Sequence, residues 1–147
     1  MAVVTPVLLM IIAGIFDFGM LFRAWEVVTN AAREGARVGV LPAYTADENV
    51  RLRVEQYMNV GGVAAACTLE TVSGGVCPPG PCSVCVQTQS MATPAGTYNA
   101  RVVTVTATQN LPSLSVIGSF FGGSFGTIDV GATSTMRTEV QGAPPGP

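Results

Sequence analysis

Residues Ala2 to Phe22 read AVVTPVLLMIIAGIFDFGMLF, an apolar stretch whose one charged member is Asp17. At a rise of ~1.5 Å per residue, about twenty helical residues cross the ~30 Å hydrocarbon core of a bilayer. A run of this length predicts a helix that lies in a membrane or at the core of an assembly. The buried helix of a soluble protein rarely stays apolar for so long. A cleaved signal peptide would need a basic start, a shorter apolar run and a small-residue cleavage site, and the run has none of these.

The helical pattern continues through RAWEVVTNAAREGARVGV without a breaker until Leu41-Pro42. One helix is therefore expected over 1–41, membrane or filament core in 1–22 and amphipathic in 23–41. At 100° per residue, Arg23, Glu26, Asn30, Arg33, Glu34 and Arg37 fall on one polar stripe. The opposite face aligns Ala13, Asp17, Ala24, Ala31 and Gly35, with Gly39 close by. Small residues at such spacing let a second helix approach backbone to backbone. Contact with neighbouring copies is the expectation for this face, and packing on the chain's own globular part is the alternative.

Residues 42–147 read as a globular α+β head. Thr45-Ala46-Asp47-Glu48 has the form of a capping box and starts a short helix that runs to about Asn59. Val50, Val54, Tyr57 and Met58 line its apolar side, and Asp47, Arg51 and Glu55 form a ladder read as solvated surface. Beyond Gly61-Gly62 the apolar period changes to two. Strands are expected from Ala100 to Thr108 and from Ile128 to Val140, in an antiparallel sheet. The intervening LPSLSVIGSFFGGSF, broken by proline, serine and glycine, is expected to be a long hairpin connection. Its Phe120, Phe121 and Phe125 would either plug the core or meet a neighbour, and the closing GAPPGP is expected to be an extended tail.

Cys67, Cys77, Cys82 and Cys85 all lie in the part that would stand outside the cytoplasm if the first helix spans a membrane. Two disulfides are the leading reading. If the segment from Cys82 is extended, Cys82 and Cys85 point to opposite faces, so each pairs with Cys67 or Cys77, in either combination. Only Cys82-x-x-Cys85 has the spacing of zinc ligands, and no metal is expected.

The charge pattern excludes further classes. All seven basic residues are arginines, they do not cluster, and the net charge is −2, so nucleic acid is not an expected partner. There is no histidine and no lysine, which removes the usual general base and the Schiff-base nucleophile. The glycine-rich stretches lack a Walker-type Lys-Ser/Thr. No enzymatic activity, no catalytic residue and no cofactor are expected.

The order of features, an apolar run with a proline near its start, then GIFDFGMLF and TNAAREGARVGV, resembles the TadE-like family of tight-adherence pilus proteins. The likeness is close from Thr29 to Gly39 and resumes in ATSTMRTE, Ala132 to Glu139, which is similar to the family's closing strand. The resemblance implies a pilin-like fold, a precursor held in the inner membrane, cleavage by a prepilin peptidase and handling by a pilus assembly machinery. It implies a place in an extracellular filament of like copies, as a pilin or as a minor pseudopilin that primes assembly. Pilin-like proteins usually carry a glutamate five residues into the mature helix, whereas Thr5-Pro6 stands here, and Met1 is expected to be the processed N-terminus.

Asp17 is then the residue of interest, because a carboxylate at a membrane centre costs about 2.5–3.5 kcal/mol unless it finds a partner or an interface. The expected partner is the Met1 amine or Arg23 of an adjacent copy, with snorkelling to the far membrane surface as the alternative. A membrane-anchored adhesive domain that stays monomeric, binding through loops such as Cys77 to Cys85, is a third functional reading.

Overall fold

The apolar run and its amphipathic continuation form a single helix, α1 (Val4–Gly39, 36 residues). The computed structural model describes residues 4–41, 46–72, 76–94, 96–120 and 126–138. A turn with the Leu41 amide on the Val38 carbonyl at 3.1 Å ends α1, just before Pro42, which cannot continue it. The second helix, α2 (Asp47–Val60), begins at Ala46, which makes no side-chain cap, and Glu48 bonds Arg51 instead of reaching back. The expected capping box is therefore not formed by Glu48, and Thr45 lies outside the described residues.

At its other end α2 stops as its glycines predict. The Val63 amide reaches the Met58 carbonyl at 3.0 Å and the Gly62 amide reaches Asn59 at 2.9 Å. This double closure needs a left-handed residue between, and Gly62 supplies it at φ 65°.

Four strands follow, β1 (Thr68–Glu70), β2 (Ser83–Thr93), β3 (Gly96–Asn110) and β4 (Thr127–Arg137), side by side in that order. β2, β3 and β4 are antiparallel, as expected, with Val105 opposite both Val84 and Ala132. The sheet departs from the purely antiparallel form at one edge, where β1 runs parallel to β2. Parallel pairing needs a crossover of about a dozen residues, and the cysteine-bearing stretch between Glu70 and Ser83 provides it. A third helix, α3 (Pro112–Phe120), joins β3 to β4. The hairpin connection expected there is thus helical in its first half, and Phe121 and Phe125 lie outside the described residues, as does the tail.

The core sits between the second half of α1, the apolar side of α2 and one face of the sheet. Val28, Ala31, Ala32 and Ala36 meet Val50, Val54 and Met58 from α2 and Val84, Val103, Val105 and Ala107 from the sheet, all with no measurable exposure. A Cβ added at Gly35 would lie 2.7 Å from the Val54 side chain, and one at Gly39 3.2 Å from Val50. Small residues on α1 therefore let the Val50 and Val54 side chains of α2 rest against its backbone. From Ala24 to Gly39 the face expected to meet neighbouring copies is occupied by the chain's own head. A single core needs a floor, and this is the apolar stripe that the amphipathic half of α1 offers.

Candidate functional site

α1 emerges from this core and continues alone. Every large apolar side chain from Val4 to Phe16 is 54–68% exposed. In a folded chain that buries Val28 and Val54 completely, such a surface is unfinished, and a contiguous apolar patch of this size marks contact with lipid or protein. The helix is long and apolar enough to cross a membrane. Gly14 and Gly19 also stand open here, with nothing within 4 Å of an added Cβ. These two, rather than Ala24 to Gly39, are small residues of α1 left free for close approach.

Asp17 marks the start of the covered stretch. It is only 5% exposed, and its carboxylate faces the N-terminal end of α3. The Leu114 amide donates to Oδ2 at 2.8 Å, and the Ser113 amide to Oδ1 at 3.4 Å, a long contact. A helix start presents backbone N–H groups without partners and a partial positive charge, which suits a carboxylate. The partner expected from an adjacent copy is thus found within the same chain, almost a hundred residues along. Arg23, the other candidate, sends its guanidinium to the Gly61 carbonyl at 3.0 Å and so ties α1 to the end of α2. Met1 lies outside the described residues. Ala13, half-buried, lies one turn ahead of Asp17, and Ala24 and Ala31 are buried beyond it.

Beside this clamp, Phe18, Leu21, Phe22 and Trp25 line a groove of about 390 Å³ against Ile128 to Gly131 at the start of β4. The Phe22 and Trp25 rings lie 6.0 Å apart, tilted by 42°. Aromatic side chains collect where an apolar helix passes into polar surroundings. Here they coincide with Arg23, the first cation of the chain.

The four cysteines form two disulfides, Cys67–Cys82 and Cys77–Cys85. This is one of the two combinations left open by the spacing. The first joins lateral neighbours, with Cα atoms 4.6 Å apart, just ahead of the β1–β2 pairing at Thr68 and Ser83. The second fastens the crossover to the outer face of the sheet, where the Thr106 and Thr108 hydroxyls donate to the Pro78 and Gly80 carbonyls.

The charge ladder on α2 does more than meet water. Arg51 joins Glu48 and Glu55, each at 2.6 Å, and donates to the Cys67 carbonyl at 2.8 Å. The Cys67 amide in turn donates to Glu55 at 2.8 Å. Asp47 pairs with Arg101 on β3, and Arg53 reaches Glu34 on α1 at 2.8 Å. Hydrogen bonding from Arg51 holds the exposed Glu48 carboxyl below its usual range.

Comparison with known proteins bears on the helix that carries this surface. The model of the family described as TadE-like protein matches residues 1–37, the stretch that contains the free apolar segment, Asp17 and the first small residues of the buried face. No curated protein and no solved structure matches the chain.

Proposed function

We propose that this chain, whose N-terminal helix matches the model of the TadE-like family, is a Tad-pilus-associated, non-catalytic structural subunit. It is held in a membrane by the free half of α1 and passes from there into a filament of like copies. The observation that carries this reading is the nakedness of α1 from Val4 to Phe16 beside a head whose own core is complete.

Moving that helix from lipid to protein exchanges one apolar surrounding for another, so little hydrophobic force separates the two states. The quality of van der Waals fit decides the outcome. Gly14 permits close backbone approach on the free segment, and Gly19 stands equally open just beyond Asp17. The prepilin peptidase and the assembly machinery are partners in this reading, the filament is extracellular, and the head faces solvent.

Shearing the surface of cells that express the chain, followed by electron microscopy of the fibres and mass spectrometry of their bands, tests the proposal. The chain is expected as a stoichiometric fibre component. Its recovery at trace level would make it a minor pseudopilin, and fibres without it, with only monomers after crosslinking on intact cells, would reject filament membership.

A further inference from the structure

The helix α3 carries no charged residue, and its Leu114 and Val116 are 38% and 65% exposed. Its position along α1 is fixed by the bond to Asp17. Asp17 precedes Arg23 by six residues, which places it about 9 Å to the apolar side of the point where α1 becomes charged. If the span of α1 lies in a bilayer, the start of α3 lies below the surface of that bilayer, at or under the level of Phe22 and Trp25.

The backbone donors at the start of α3 and two of its serine hydroxyls fit such a place. A helix start in hydrocarbon must close its N–H donors without water. Pro112 has no donor, the Ser113 and Leu114 amides face Asp17, and the Ser115 amide reaches the Leu111 carbonyl at 2.9 Å. The hydroxyls of Ser115 and Ser119 turn back onto the Pro112 and Val116 carbonyls, both at 2.7 Å. Serines in water have no need of that geometry, whereas in an apolar surrounding it removes an unmatched donor.

We propose that α3 is a second lipid-facing element, seated beside α1 in the leaflet on the side of the head, with Leu114 and Val116 among the acyl chains. Asp17 and the start of α3 satisfy each other there, so neither needs water at that depth. The inference rests on the membrane stage of the reading above and adds that the head is partly sunk into the bilayer rather than carried clear of it.

The test uses the full chain in proteoliposomes of phosphatidylcholine and phosphatidylglycerol, with Trp25→Phe to remove the one native tryptophan. Val116→Trp places a reporter on α3 and, in a separate sample, Leu9→Trp places one on the span; both positions are exposed, so neither change disturbs the core. The α3 reporter is expected to emit at short wavelength, to lose emission to lipids brominated near the headgroup end of the chains, and to resist aqueous iodide. Free quenching by iodide would overturn the proposal. Resistance to both quenchers would also overturn it, since another copy would then cover α3. The span reporter separates the two levels: quenched by lipids brominated near the chain ends, it leaves a failure at α3 confined to this inference, and unquenched it removes the membrane reading with it.

Discussion

At Asp17 a single carboxylate decides how far the head reaches down α1. Replacing it by alanine leaves the Ser113 and Leu114 amides without an acceptor, at a cost of about 1–3 kcal/mol for buried donors. Hydrogen exchange should therefore show residues 112–120 losing protection in Asp17→Ala while β2 and β3 keep theirs; uniform protection would mean that the carboxylate does not hold α3. Asp17→Asn retains a carbonyl acceptor and should lose less. Glu48 gives a second case. Its folded pKa lies below the ordinary carboxylate value of 4.5, so its contribution is complete above that pH and disappears as the pH falls through the lowered value. Thermal melts should show a small acid-side loss, modest because the group is exposed, that is missing in Glu48→Gln. The charge of Asp17 amid apolar neighbours was legible in the sequence, but its partner was not, because nothing local links it to a helix start almost a hundred residues away.

Elements with a period and enough length could be read directly. The helix from Val4 to Gly39, the helix ending at Gly61 and the strands at Ala100 and Ile128 all carry repeated apolar spacing. α3 escaped because Pro112, Gly118 and three serines in nine residues depress helix propensity, and its start is stabilised by a tertiary acceptor. β1 escaped because three residues show no alternation, and it is a disulfide and the Arg51 network that hold it in place. Reduction should accordingly be felt first at this edge. Closing a loop of separation 15 by Cys67–Cys82 is worth about 3 kcal/mol in the chain-entropy model, and the loop of separation 8 closed by Cys77–Cys85 about 2.5 kcal/mol, so melting under reducing conditions should fall markedly, with the Cys67→Ala, Cys82→Ala pair reproducing roughly half of the drop. The α1–α2 contact offers a complementary probe. Gly35→Val would press into Val54, where a first added carbon already lies at 2.7 Å, and overpacking of this kind costs about 1–3 kcal/mol. A denaturant midpoint unchanged by that substitution would mean that the helices do not approach as described.

For the molecule as a whole, the two halves of α1 have separate duties. Residues 4–12 are all exposed, so a chain beginning just before Asp17 should fold, remain in solution without detergent and melt as the full-length protein does. Aggregation of that truncated form would place the offending apolar surface in the head, at the groove beside Trp25 or on α3. The second half of α1 is the floor of the core, and Arg23, Glu34 and the buried alanines attach it to α2 and the sheet over its remaining length. The head is therefore not a tethered bead on a leash. Because anchor and core share one unbroken helix from Val4 to Gly39, a pull or torque on the outer part is carried toward the anchor through helical backbone rather than through a loose linker.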